Sequence, residues 1–102
     1  MEIITNVHNQ CLTIFLKGDL DEYNASQIRA AVDKLIAEHT YCTQVVFNLT
    51  NINFMDSTGI GFLLGRYKKL QRQSTTMYIQ SPNYFADKVL SISGVYALIP
   101  KL

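Results

Sequence analysis

This 102-residue chain lacks tryptophan and contains only two prolines and two cysteines. Cys11 and Cys42 show neither a metal-binding spacing nor the density of a disulfide scaffold, which favours reduced thiols and a cytoplasmic location. No apolar run approaches the length of about 18 residues that spans a bilayer, and "MEIITNV" at the start is not a signal-peptide pattern. The sequence therefore predicts no membrane partner.

The chain also has no marked excess of positive or negative charge. Nine basic and eight acidic residues leave a net charge of +1, and no run of like charges indicates nucleic acid as a direct partner. The one dense basic group is Arg66, Lys68, Lys69 and Arg72, interpreted as a solvated helix face near a C-terminus, where cations are favourable. The scattered histidines and cysteines have no metal-ligand spacing. Neither a metal nor a cofactor is expected.

The hydrophobic content of 48% suits one core, so residues 1–102 are expected to form a single domain. Alternation over residues 3–8 and 11–16, around the polar pair Asn9-Gln10, predicts an antiparallel hairpin. The apolar run "QVVFNL", 44–49, predicts a buried central strand, and "TTMYIQ", 75–80, predicts a fourth strand.

Three helices are expected between and after these strands. Asn24, with Gln27 three residues on, predicts the cap of the first helix; Asp56 or Ser57 is expected to begin the second. Ser81 before Pro82 predicts the start of the third, and Gly94 its left-handed end. A last short strand is expected over 96–99. The fold class is α/β: a mixed sheet of four to five strands, with an N-terminal antiparallel hairpin and later parallel strands, and three to four helices.

The central stretch "NFMDSTGIGFLL" places a polar group, Asp56-Ser57-Thr58, where a buried strand leads into a helix. Open α/β sheets hold their sites at this end of the strands. Capping of free backbone N–H groups alone would explain these residue types. Gly61 and Gly65 lie one turn apart, and such a strip suits either close packing on the sheet or the approach of another protein; the sequence favours neither. The preceding Phe54 and Met55 are interpreted as anchors of the connection.

The sequence does not match the motifs of common enzyme families. "GIGFLLG" has the spacing G-x-G-x-x-x-G rather than the dinucleotide fingerprint, and no acidic residue follows at about 20 positions. There is no P-loop and no G-x-S-x-G elbow. No catalytic residue is assigned, and an enzyme is not expected. Ser57, exposed at a helix start, instead suits modification: a phosphate would add about −1.5 to −2 charges.

The run "FMDSTGIG...LGRYK" resembles the signature of bacterial anti-sigma-factor antagonists of the STAS-domain family, and is especially similar to sporulation-type members that counter an anti-sigma-F factor. "KGDLDEYNA", Lys17 to Ala25, resembles the family's "GELD" segment. The resemblance covers essentially the whole chain. It implies a non-enzymatic regulator of sigma factors, and so of transcription, that acts by partner switching.

The implied partners are an anti-sigma factor that is also a serine kinase, with its bound ATP or ADP, and a serine phosphatase that reverses the modification. The resemblance makes Ser57 the phosphoacceptor and Thr58 a weaker one, with Asp56 helping recognition. The implied docking surface comprises Asp19, Asp21, Tyr23, Asn24, Asp56, Ser57, Thr58, Gly59 and Gly61, the first four in a loop from Asp19 to Asn24. A monomer is expected.

Two alternatives stay open at this point. One is a general stress-response or stressosome-type regulator of the same family, which differs mainly in its partner. The other is a STAS accessory domain of a transport system, in which the serine would serve docking rather than modification. Direct nucleotide binding is a third, weaker possibility.

Overall fold

The computed structural model describes all 102 residues, which form one four-stranded sheet and three α-helices around a shared core. The strands are β1 (Glu2–His8), β2 (Cys11–Leu20), β3 (Gln44–Met55) and β4 (Thr76–Gln80). The helices are α1 (Glu22–Glu38), α2 (Ser57–Arg72) and α3 (Tyr84–Ser93), and a 3-10 helix, Val95–Ala97, follows α3. None of the helices combines the length and the apolar character that crossing a membrane requires.

The sheet has the strand order β1-β2-β3-β4. β1 and β2 are antiparallel, whereas β2, β3 and β4 are parallel to one another. This confirms the predicted mixed α/β fold, and of the four to five strands expected, the sheet has four. The hairpin turn is formed by Asn9 and Gln10, whose φ angles of 47° and 62° are both positive. This is the turn geometry that matches the twist of paired strands.

One face of the sheet carries the core. Alternate β2 residues, Leu12, Ile14 and Leu16, are fully buried, and they join a single cluster of 23 residues drawn from three of the strands and all three helices. The opposite face is open at β1 and β2, where Phe15 is only half-buried and its β1 neighbour Ile4 is 61% exposed. The helices therefore pack on one side of the sheet.

The start of α1 differs from the prediction. Asp21, not Asn24, is the cap, and its carboxylate accepts a hydrogen bond from the Asn24 backbone N–H at 2.9 Å. β2 continues to Leu20, so the expected loop from Asp19 to Asn24 is reduced to Asp21 alone. Pairing with β2 likewise extends β3 to Met55, well beyond the predicted run that ends at Leu49.

The C-terminal third holds two more corrections. α3 is capped by Asn83, whose Oδ1 accepts from Ala86 N at 2.8 Å, rather than by Ser81, because Asn83 is also fixed by donating to the Ile52 carbonyl. The predicted strand over 96–99 is wrong, since the chain turns there into the 3-10 helix. The left-handed conformation of Gly94, φ 81°, is confirmed.

Arg66 does not lie on a solvated face. Its side chain is buried, with 4% of the residue exposed, and its Nε lies 2.8 Å from Asp33 on α1. The guanidinium also stacks 4.9 Å from the centre of the Phe62 ring. Burial lowers the pKa of Arg66, and the Asp33 carboxylate opposes that shift. This ion pair joins α1 to α2.

Candidate functional site

Two helix starts lie side by side at the carboxyl ends of β2 and β3. The parallel register pairs Leu20 with Met55 at the last step of both strands. A single residue then leads into each helix: Asp21 into α1 and Asp56 into α2. The sheet register therefore brings the two helix N-termini, with their unpaired N–H groups, to the same edge of the molecule.

Asp56 holds the beginning of α2 in place. Its Oδ1 accepts hydrogen bonds from the backbone N–H groups of Thr58 at 2.9 Å and Gly59 at 3.2 Å. Its own backbone N–H donates to the Leu20 carbonyl at 3.5 Å. Asp56 is thus a helix cap, and the predicted start of α2 at Ser57 is confirmed.

Gly59 packs directly against β2. A β-carbon at this position would overlap the Leu20 carbonyl oxygen and come within 2.9 Å of the Met55 side chain. Gly59 is buried, so this predicted docking residue offers no free surface and instead fixes the position of α2 against β2.

Ser57 is the first residue of α2 and is exposed, as is Thr58. The capping bonds of Asp56 go to Thr58 and Gly59, so the Ser57 side chain stands outside that network. A hydroxyl in this position is accessible to another protein.

A shallow acidic depression of about 500 Å³ lies next to Ser57, lined by Asp21, Glu22, Tyr23, Phe54 and Asp56. Three of these side chains are carboxylates, and two are exposed aromatic rings: Tyr23 is 72% and Phe54 54% exposed. The interpretation of Phe54 as an anchor is wrong; only Met55 is buried. The structure thus brings the predicted residues Asp21, Tyr23 and Asp56 together.

The two remaining residues of the expected loop are half-buried. Asp19 pairs with Phe54 inside the sheet, beside an irregularity in the register. Asn24 lies in the first turn of α1, where its backbone binds Asp21. Neither residue is among those that line the depression.

A groove of about 400 Å³ runs between α1 and α2 on the other side of Thr58; its lining consists of Glu22, Ala25, Ser26, Arg29, Thr58, Gly61, Phe62, Gly65 and Arg66. At Gly61 and Gly65, an added β-carbon would meet no atom within 4 Å. The glycine strip therefore faces this open groove and is not used for packing on the sheet. The sequence left open whether Gly61 and Gly65 serve packing on the sheet or the approach of another protein. The structure leaves them accessible to another protein.

Sequence reasoning missed Glu22, Ser26 and Arg29, which form the α1 wall of the groove. They recur at three- to four-residue spacing from the helix start, the period of one helix face. That spacing is visible in the sequence, but it marks a functional face only once the neighbouring helix is known to leave a gap there.

An open, shallow site built from two helix starts, an exposed hydroxyl and a groove has the shape of a protein-binding module. The STAS domain family model matches residues 2–102, and the chain belongs to this family.

Relatives of known role share this fold over nearly the whole chain. An anti-sigma F factor antagonist of Paenibacillus polymyxa is 31% identical, with 98% of this chain and 85% of the relative covered. An anti-sigma-B factor antagonist of Staphylococcus epidermidis is 27% identical over 97% of this chain and 90% of its own. The solved structure of the anti-sigma factor antagonist SpoIIAA in its unphosphorylated form is 26% identical, with a TM-score of 0.80 over 99% of this chain and 88% of that one.

Proposed function

We propose that this protein is an anti-sigma factor antagonist whose binding to its partner is switched off by phosphorylation of Ser57. The observation that carries the proposal is the exposed position of Ser57 at the start of α2. Family membership over residues 2–102 and similarity to named anti-sigma factor antagonists support it.

The partner in this proposal is an anti-sigma factor that is also a serine kinase and carries ATP or ADP. Binding of the unmodified antagonist would release the sigma factor, and transfer of phosphate from ATP to Ser57 would end the binding. A serine phosphatase would then restore the unmodified form. In this scheme the protein acts in the cytoplasm as a regulator and not as an enzyme.

Ser57 is a better acceptor than Thr58 for a geometric reason. Both residues are exposed, but the backbone of Thr58 is held by Asp56 and its position lines the groove between the helices. Ser57 lies before that first capped turn. We therefore expect a kinase to prefer the Ser57 hydroxyl.

The phosphate would act through local charge and bulk. It brings about −1.5 to −2 charges at pH 7, beside Asp56 and near Asp21 and Glu22, and changes the net charge of +1 to slightly negative. Inside the chain, the partial positive charge of the α2 N-terminus offsets this repulsion. A closely fitted partner has no such compensation, because it would have to bury a charged group without a counterion.

The direct test is phosphorylation in vitro by a candidate anti-sigma factor kinase with ATP, followed by mass spectrometry of the peptide that contains residues 57 and 58. We expect one phosphate, on Ser57. Ser57→Ala should abolish incorporation, whereas Thr58→Val, the matched control one residue on, should retain it. Incorporation at Thr58 or elsewhere, with Ser57 unmodified, would contradict the proposal.

A general stress-response antagonist is the second candidate, because the relative from Staphylococcus epidermidis counters an anti-sigma-B factor. The same serine would be used, and the two candidates differ only in the kinase. Parallel assays with an anti-sigma-F type kinase and an anti-sigma-B type kinase separate them by the rate of phosphate incorporation.

A further inference from the structure

The two edges of the sheet differ in how far their backbone hydrogen-bonding groups are already paired. At β4, the C-terminal residues form a single parallel bridge: Ile79 N donates to the Pro100 carbonyl at 3.0 Å, and Leu102 N donates to the Ile79 carbonyl at 2.8 Å. β1 pairs only with β2. Its other side is a free edge of seven residues.

β1 carries none of the features that usually prevent edge pairing. Natural edge strands contain lysine, proline or a bulge, but β1 reads EIITNVH and pairs with β2 in unbroken register. Its only ionisable side chains are Glu2 and His8, at opposite ends. Between them, Ile4 is 61% and Val7 40% exposed.

The direction of the free backbone groups follows from the hairpin. His8 and Cys11 close the Asn9-Gln10 turn, so the bonds of His8 point inwards to β2. In an antiparallel pair the inward and outward residues alternate. The N–H and C=O groups of Ile3, Thr5 and Val7 therefore point away from the sheet, ready to pair with another strand.

We propose that β1 pairs with β1 of a second copy of this chain, antiparallel and centred on Thr5, to form a continuous eight-stranded sheet. In this register Glu2 lies opposite His8 of the other copy at both ends, so the one carboxylate of the strand faces an imidazole and not a second carboxylate. Ile3 lies opposite Val7, which joins apolar side chains on the core side of both sheets. The outward N–H and C=O groups of Ile3, Thr5 and Val7 then form hydrogen bonds with the same groups of the other copy.

This pairing goes beyond the proposed function and does not depend on it. Ser57 follows β3, two strands away from β1, so a dimer leaves the α2 start free. A seven-residue edge gives a small interface, below the about 1,000 Å² typical of stable complexes. The dimer is therefore reversible and depends on concentration. A dimer of this kind would differ from the monomer that the sequence led us to expect.

Sedimentation analysis across a wide concentration range, combined with amide hydrogen exchange, tests this pairing. We expect a concentration-dependent dimer, in which the N–H groups of Ile3, Thr5 and Val7 gain protection with concentration, while those of Ile4, Asn6 and His8 are protected throughout. Thr5→Pro removes an outward donor at an edge position that tolerates proline. It should weaken the dimer at least about tenfold and leave the circular dichroism spectrum unchanged.

A charge exchange provides the matched control. His8→Glu places two carboxylates opposite each other and should weaken the dimer, and adding Glu2→Lys should restore it, because a lysine then faces the new carboxylate. The dimer constants are compared only for variants with wild-type thermal unfolding, because Glu2 also lies opposite Lys17. A monomer at all concentrations would overturn the proposal, and so would a dimer in which the new protection maps to another surface, such as α3.

Discussion

The carbonyl oxygen of Leu20 occupies the space beside Gly59 in which any other residue would place its β-carbon. The same carbonyl accepts the backbone N–H of Asp56. One oxygen at the end of β2 thus fixes both the cap and the first turn of α2. The position of Ser57 on the surface depends on this close contact between strand and helix.

Replacement of Gly59 by alanine should destabilise the protein by about 1–3 kcal/mol, the usual cost of overpacking, because the added β-carbon would overlap the backbone carbonyl of Leu20 and crowd Met55. Gly61→Ala is the matched control, since its β-carbon would enter open space. Alanine there should stabilise the helix by up to about 1 kcal/mol. Urea unfolding of both variants measures the difference. Equal stabilities would show that the contact at Gly59 is not restrictive.

The Asp56 carboxylate should stabilise α2 as a cap more than as a charge. Asp56→Ala should cost about 1 kcal/mol in the free energy of unfolding, because Thr58 N and Gly59 N lose their acceptor. Asp56→Asn keeps an acceptor oxygen and should retain most of that stability. If the asparagine variant proves as unstable as the alanine variant, the contribution of Asp56 is electrostatic instead.

Much of this fold is predictable because it depends on short-range chemistry. The hairpin follows from alternation around Asn9-Gln10, and the start of α2 from the capping preference of Asp56. Gly94 ends α3 because its φ of 81° suits glycine. In each case the residues that decide the structure lie within one turn of one another.

The errors occur where a distant element decides between local options. Asp21 and Asn24 are both good caps, and the extension of β2 to Leu20 selects Asp21. Asn83 prevails over Ser81 through its bond to Ile52, 31 residues away. The burial of Arg66 depends on Asp33 of α1, and the residues around Arg66 in the sequence do not indicate that contact. For the same reason, the groove beside Gly61 was undecided until α1 was placed.

The Asp33–Arg66 pair leads to an asymmetric prediction. Asp33→Ala should destabilise the protein by about 3 kcal/mol, because it leaves a buried guanidinium without its counterion. Arg66→Met, which fills similar space without charge, should cost much less. Lys69→Ala removes the second, exposed contact to Asp33 and should cost less than about 1 kcal/mol. Chemical denaturation of the three variants measures this order. A larger loss of stability in Arg66→Met than in Asp33→Ala would contradict it.

The contact between α3 and the C-terminus should make stability depend on pH at both extremes. The Tyr96 hydroxyl donates to Asp87 at 2.5 Å, and Lys101 lies 2.9 Å from the same carboxylate. The hydrogen bond from Tyr96, and then that from Lys101, lower the pKa of Asp87, so this stabilisation is present above the unfolded value of about 3.9 and is lost as the pH falls below it. Burial, and then the hydrogen bond to Asp87, raise the pKa of Tyr96. The contribution of the protonated Tyr96 hydroxyl to folding stability is therefore fully present below about pH 10 and decreases as the pH rises above it.

Tyr96→Phe tests this coupling. It removes the phenolic hydroxyl but keeps the ring, so the variant should lose less stability than the wild type between about pH 5 and pH 2, and should also lose less stability above about pH 10. Thermal unfolding across this range measures both effects. Parallel pH profiles of the two proteins would indicate that Asp87 and Tyr96 titrate independently.

The central claim is that a phosphate on Ser57 is compatible with this fold but not with the bound partner. Calorimetric titration of the anti-sigma factor kinase with unmodified protein, enzymatically phosphorylated protein and Ser57→Ala, each first checked for wild-type thermal unfolding, tests it most directly. The account predicts that Ser57→Ala binds with wild-type affinity, and that the phosphorylated form binds about 100-fold more weakly, a loss of about 2.7 kcal/mol. Equal affinities of the phosphorylated and unmodified proteins would contradict it.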